Sequence, residues 1–387
     1  MSGVRGPAGA RLRLHQLPPV RLGPMRLKSA PASAGSTARQ IELAELAQRA
    51  TQRGLPVLDT RERGTDFREL PVRSALNSPA ATHMGFWSLN PYIGCEFGCS
   101  YCYARDTHRY TVERHAASGD LSTDADRALL SRPAVDAFER HILVKRNLAT
   151  VLMRTLDPSR VGDAAIVIGT ATDPYQPAER RFGITRSVLE VLLRFPKLHL
   201  GLITKSPLIT RDIPLLRELS ARHRLKIHVS LATCDDTLLR RLEPRTPVPH
   251  ARLRALAQLT AAGLDAGVLV APIVPLLTDS REGLARLFAA ARAANARRVN
   301  GGVLRLGPTA RQRFLAQIAT EFPELLGRYE RHFARSRNAE PAYRQALSRR
   351  LHGLQEEFGF PVGGMTSDID AMSGTDVQGD EQMALTL

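Results

Sequence analysis

The chain has 387 residues, 43% of them hydrophobic, with 54 Lys and Arg against 38 Asp and Glu, a net charge of +16 and a pI near 10.6. This is enough apolar material for a large core, while no run approaches the roughly 20 apolar residues of a membrane span, so no membrane partner is expected. The positive excess, almost all Arg, favours polyanions, nucleic acid first.

Residues 1–40 are rich in Arg, Pro, Ala, Gly and Ser, and the first acidic residue is Glu42. Few aromatics and many breakers predict a disordered basic tail. There is no continuous apolar stretch of the secretory kind. An N-terminal extension over 41–85 follows, with a helix at 41–53 and irregular chain over 55–82. Residues 86–93 read as a first strand. It delivers a loop holding three of the four cysteines, Cys95, Cys99 and Cys102, spaced C-x3-C-x2-C with Gly94 and Gly98 between turns. Residues 105–130 look polar and irregular, and 133–156 read as one helix with Phe138, Ile142, Leu143 and Leu148 on a face.

A regular alternation then begins. Strands are expected at 164–169, 198–203, 225–231, 265–271 and 302–306. Helices are expected at 185–195, 211–222, 235–242, 250–262 and 280–294, with Thr210 as the N-cap of the second. Strands alternating with helices imply parallel β-α units. Counting the cysteine strand there are six, short of the eight of a closed barrel. Ligands in such sheets bind at the carboxyl ends of the strands. Those ends are polar here: residues 169–180, then Thr204, Lys205 and Ser206, then Ser230, Thr233 and Cys234, then residues 243–247. From 308 onward the chain reads as helices at 309–322, 325–335 and 341–358, a helical extension over 308–366. Residues 367–387 are expected to be a disordered tail.

Three thiolates on one short loop point to a metal. A four-iron cube usually takes four cysteines, so three leave one iron open to another ligand. A Cys3His zinc site completed by His108 or His83 is the alternative from spacing alone. Four cysteines of which three form such a motif fit a reducing cytoplasm.

The C-x3-C-x2-C motif with Tyr101 before the third Cys resembles the radical S-adenosylmethionine (SAM) superfamily. N-P-Y-I-G-C-E-F-G-C-S-Y-C-Y-A-R (90–105), T-D-P-Y-Q-P-A-E-R (172–180), I-T-K-S (203–206) and E-P-R-T-P (243–247) resemble its branch grouped with spore photoproduct lyase, also described as DNA repair photolyase-like. The resemblance spans about 86–307. It implies an α/β fold, a partial (β/α)6 TIM-like barrel, with a [4Fe–4S] cluster on Cys95, Cys99 and Cys102 and SAM on the open iron. It implies Tyr101, Thr172, Asp173, Lys205 and Ser230 around SAM, and a reductant such as flavodoxin or ferredoxin. The implied reaction is reductive cleavage of SAM to a 5′-deoxyadenosyl radical that abstracts hydrogen from a substrate. Spore photoproduct lyases carry a hydrogen-donating Cys where this chain has Ala171. Cys234, Tyr103 and Tyr175 are the candidates for that role, and lyase activity of the spore type does not follow. Two other functions stay open: a zinc-stabilised, non-enzymatic nucleic-acid-binding protein, and a maturase or tRNA- or protein-modifying enzyme.

Overall fold

In a computed structural model, residues 57–61, 64–82, 84–117, 134–334 and 336–362 are described. The expected helix at 41–53, both expected tails and His83 lie outside them. Ten strands occur among the described residues. They are β1 Val57–Arg61, β2 Thr65–Glu69, β3 Trp87–Leu89, β4 Tyr92–Ile93, β5 His141–Val144, β6 Ile166–Ile168, β7 His199–Thr204, β8 Arg224–Ser230, β9 Ala266–Ile273 and β10 Val299–Val303. Six form one sheet in the order β10-β9-β8-β7-β6-β3. Every neighbouring pair in it is parallel. The edges β3 and β10 do not pair with each other, so the sheet is open, as the six-strand count predicts.

Its inner rows are apolar: Leu200 and Leu202 on β7, Ile227 and Val229 on β8, Val268 and Val270 on β9 are at most 4% exposed. Each such side chain contributes on the order of 1.5–3 kcal/mol through burial. Crossover helices such as Ile184–Leu192, Ile213–Arg222 and Arg281–Ala293 cover the sheet with buried Leu, Val and Phe. Ser280 and Asp235 cap helices Arg281–Ala293 and Asp236–Leu242 through side-chain acceptors.

Several local expectations are corrected. The 86–93 segment is two strands in two sheets. Asn90 and Pro91 separate them, and Pro has no N–H for a ladder; β3 joins the parallel sheet while β4 pairs antiparallel with β5. The region expected to be irregular before it forms β1 and β2, and β2 pairs parallel with β5 in a second, four-stranded sheet. The single helix expected at 133–156 is helix Ala134–Arg140, strand β5 and helix Leu148–Thr155. Ile142, Leu143 and Val144 are buried consecutively, the mark of a strand covered on both faces. A polar helix, Ala104–Ala117, occupies part of the stretch read as irregular. Thr210 does not cap: its hydroxyl donates to Pro207 O, and the chain passes through a 3-10 turn, Pro207–Asp212, that Ser206 caps.

The C-terminal helices Pro308–Glu321, Leu326–His332 and Pro341–Glu357 follow the sheet. Phe314, Ile318, Tyr329 and Phe333 share a core with Phe97, Tyr101 and Phe138 beside the cysteine loop. Asp106 Oδ1 accepts from Thr309 N at 2.7 Å, fastening the first of these helices to the helix that follows the loop.

Candidate radical centre at the strand ends

The cysteine loop leaves the end of β4 where the antiparallel β5 begins, and it is held there by residues that follow the parallel strands β6 and β8. Gly94 (φ +87) and Gly98 (φ +59) take left-handed backbone. A Cβ on Gly94 would lie 2.8 Å from Phe138 O and 2.9 Å from His141 O, so only glycine fits. Three segments hold the loop. Cys95 N donates to Phe138 O at 3.0 Å. Ser100 N and Oγ both donate to Leu242 O at 3.1 Å. The third anchor is the 172–180 stretch: Thr172 Oγ1 and Gln176 Nε2 donate to Gly94 O at 2.7 and 3.2 Å, Glu96 N donates to Gln176 Oε1 at 2.9 Å, and Ala178 N to Glu96 Oε2 at 2.6 Å. Arg105, fully buried, donates to Cys99 O at 3.0 Å and pairs with Glu139 at 2.5 Å.

The three thiols are neighbours on this loop. All are unpaired to disulfides. Burial pushes Cys95 well above the ordinary thiol value, with the charges of Asp173 and Cys99 adding to it. Cys99 is likewise raised, first by burial and then by Glu243. As they stand, no three His, Cys, Asp or Glu side chains among the described residues close on a single-ion site. The donor set of three clustered thiols suits an iron–sulfur cluster with one iron left open. His108 instead places Nε2 2.9 Å from His141 O, with its ring edge on Phe138.

The polar strand ends are joined sideways. Ser88 Oγ lies 2.6 Å from Thr170 Oγ1, linking β3 to β6. Asp173 accepts from Thr204 Oγ1 and Lys205 N, each at 2.7 Å, linking β6 to β7. Lys205 Nζ donates to Ser230 Oγ at 2.8 Å, and Ser230 Oγ to Ala271 O at 3.1 Å, linking β7, β8 and β9. Asp173 also accepts from Tyr175 N at 2.9 Å, an Asx turn ahead of the loop's Gln176.

At the centre stands a residue the motif reading passed over as a role, Glu243. It is fully buried, accepts from Tyr101 Oη, lies 3.2 Å from Lys205 Nζ and pairs with Arg252, itself fully buried. Burial would raise its carboxyl, but Arg252 and Lys205 outweigh that and hold it at about 2. Arg252 also donates to Ser230 O at 2.9 Å. The E-P-R-T-P stretch was the available signal: its Glu anchors the Tyr of the cysteine motif, and its Arg245 covers Gly98.

The remaining candidates are spread out. Tyr103 is 41% exposed, donates to Thr170 O and lines a narrow pocket with Ala171. Tyr175 is fully buried and lines a different cleft with Phe97, Arg180, Arg240 and Arg245. Cys234 packs part-buried against the main core, its thiol pushed up to about 11 by burial.

Comparison with known proteins agrees with this geometry. The model of the radical SAM superfamily matches residues 89–288. An uncharacterized protein of Mycobacterium tuberculosis strain H37Rv is 36% identical over 293 residues, covering 75% of this chain and 80% of the relative. An uncharacterized protein of Methanocaldococcus jannaschii is 25% identical over 191 residues, 49% of this chain and 61% of the relative. Among solved structures, spore photoproduct lyase complexed with dinucleoside spore photoproduct superposes with a TM-score of 0.52 at 13% identity, covering 82% of this chain and 91% of that one. The fold is that of the spore photoproduct lyase branch, and the cofactors are those of the radical SAM family, a [4Fe–4S] cluster and SAM. The chain belongs to the radical SAM superfamily.

Proposed function

We propose that Cys95, Cys99 and Cys102 ligate the cluster and that the protein uses SAM cleavage to take a hydrogen atom from nucleic acid. The observation that carries the first half is the three-sided bracing of the cysteine loop, which fixes three thiols at the mouth of the parallel sheet. A cluster held on these three thiols would provide the electron for reductive cleavage of SAM, the source of a hydrogen-abstracting 5′-deoxyadenosyl radical. The chain's own residues bind, orient and exclude water. Tyr101 is pinned to Glu243 against the thiols, and Lys205 and Ser230 present an ammonium and a hydroxyl at adjacent strand ends for the amino-acid part of SAM. Thr172 and Asp173 set the loop beside them, Thr172 through Gly94 O and Asp173 through Lys205 N. Of the three candidates for hydrogen donor, Tyr103 is the one favoured, because it follows Cys102 and shares a pocket with Ala171. We take residues 86–307 as the catalytic core and 308–366 as a helical extension, of which Phe314, Ile318, Tyr329 and Phe333 back the cysteine loop.

Nucleic acid is supported by the net charge of +16 and by the cleft beside Phe97 lined by Arg180, Arg240 and Arg245. The structural neighbour's bound photoproduct points to the same class. A reductant such as flavodoxin or ferredoxin in a reducing cytoplasm would complete the system. The test is whether single- or double-stranded DNA, or RNA, accelerates formation of 5′-deoxyadenosine, with binding measured against salt. Acceleration by one nucleic acid, with binding that weakens steeply as salt rises, is the expected result. Salt-insensitive or absent binding and an unchanged rate with every nucleic acid would reject the substrate class while leaving the cofactor chemistry intact.

A further inference from the structure

Lys145 follows β5 and is 7% exposed. Its backbone is committed, N donating to Pro91 O and O accepting from Leu148 N. Its ammonium has no hydrogen-bond or ion-pair partner among the described residues, and burial alone lowers it to about 8. It lines the same pocket as Tyr103 and Ala171, with Asn90, Thr107 and Thr170. The neighbouring polar groups are occupied with each other: Asn90 Nδ2 donates to Ser88 Oγ at 2.9 Å, Asn90 Oδ1 accepts from Ala171 N at 2.8 Å, and Thr111 Oγ1 donates to Thr107 O at 3.0 Å. A largely buried cation that faces only the pocket's open space, without a counter-charge, is costly, and nothing in the fold so far derived uses it.

We propose that Lys145 is the anchor of a substrate subsite, which takes a small anionic end group, a phosphate or a carboxylate, beside Tyr103. The free space is about 30 Å³, the room of about two or three waters, so a compact anionic group enters while the rest of its ligand stays outside. Such a pocket binds the end of a ligand whose reacting carbon lies outside it, toward the cysteine loop that Tyr103 continues. This rests on the radical SAM reading for what happens next, but not for the binding itself.

The test uses anaerobically reconstituted holoenzyme with SAM present, and compares wild type with Lys145→Met and Lys145→Arg. Melting temperature is followed against methyl phosphate and against acetate. Two signatures are expected together. Without anion, Lys145→Met melts higher than wild type, because an apolar side chain replaces an unpaired buried ammonium. With anion, wild type gains about 2 °C or more, Lys145→Met does not, and Lys145→Arg recovers part of the gain. Whichever of methyl phosphate or acetate gives the gain identifies the end group. The proposal is overturned if Lys145→Met melts lower or fails to fold, since the lysine is then structural. It is also overturned if neither anion shifts wild type, or if the shift survives in Lys145→Met. Surface Arg residues contribute equally to both proteins and cancel in the difference. The SAM-dependent rise, read in the same samples, reports the cofactor site separately, so loss of one reading is distinguishable from loss of the other.

Discussion

Replacing Glu243 by Gln removes the charge at the centre of the site while keeping its shape. In the metal-free protein the carboxyl is held at about 2 by Arg252 and Lys205 against the cost of burial. Set against an unfolded value near 4.3, that corresponds to about 3 kcal/mol of stability. The folded value is depressed, so this contribution is complete above about pH 4.5 and is lost as pH falls through about 2. Glu243→Gln therefore forfeits it at neutral pH and leaves two cations facing an amide, Arg252 with no exposure to water. For a chain of 387 residues the expected fall in melting temperature at pH 7 is about 4 °C. The gap between variant and wild type should narrow below pH 4, as the Glu243 carboxyl of the unfolded chain takes up a proton that the folded one still refuses. Thermal melts by circular dichroism at pH 7 and at pH 3.5 measure both. A gap under about 2 °C at pH 7, or one that widens in acid, would refute the assignment of Glu243 as a buried charge hub.

Other consequences follow from the bracing of the cysteine loop. Gln176→Leu takes the acceptor from Glu96 N and one of the two side-chain donors from Gly94 O in a buried loop, at a cost of about 1–3 kcal/mol; iron bound per chain after reconstitution should fall, while Gln176→Glu should retain the acceptor and part of the iron. Gly98→Ala places a Cβ 2.5 Å from Arg245 Nη2 at φ +59; the Arg side chain can swing away, so the loss should be about 1 kcal/mol, whereas Gly98→Val should abolish iron binding. If Val is tolerated, the loop is not held in this conformation. Lys145, lowered to about 8, binds fewer protons when folded than when unfolded between about pH 8 and 10.4. Wild-type stability should rise with pH across that window relative to Lys145→Met, by up to about 3 kcal/mol; urea melts at pH 7.5 and 10 decide it.

The alternating α/β core was legible from sequence because its strands are short apolar runs separated by amphipathic helices. The expected segments at 198–203, 225–231 and 265–271 fall on β7, β8 and β9. What failed was the region where two sheets meet. Ile142, Leu143 and Leu148 fit a helical face by spacing, yet β5 is wanted there because β2 and β4 flank it on either side; that pairing is non-local and leaves no mark in a short window. The helix Ala104–Ala117 was hidden for the opposite reason, since its polar residues show no apolar stripe although Thr107, His108 and Thr111 are buried. At the site, cysteine spacing announced the loop, but the motifs around it read as ligand loops when much of their side-chain chemistry holds the loop itself. Gln176 and Glu243 are the instances: a buried amide bridging two backbone groups, and a buried carboxylate between Tyr101, Lys205 and Arg252. Lys145 gave no signal, because inside the helix expected at 133–156 a lone Lys reads as a solvated position, and only its burial without a partner sets it apart.

The central claim is that the three cysteines support radical chemistry on SAM. The direct measurement is 5′-deoxyadenosine formed by anaerobically reconstituted, dithionite-reduced protein supplied with SAM, for wild type and for Cys99→Ala. Each preparation would be assayed alone and with DNA and RNA, and iron and sulfide counted in each. The account predicts about four irons per wild-type chain, the nucleoside in at least one of those mixtures, and none from Cys99→Ala. Wild-type protein that carries a full cluster and yields no nucleoside in any mixture would contradict it, as would equal product from Cys99→Ala.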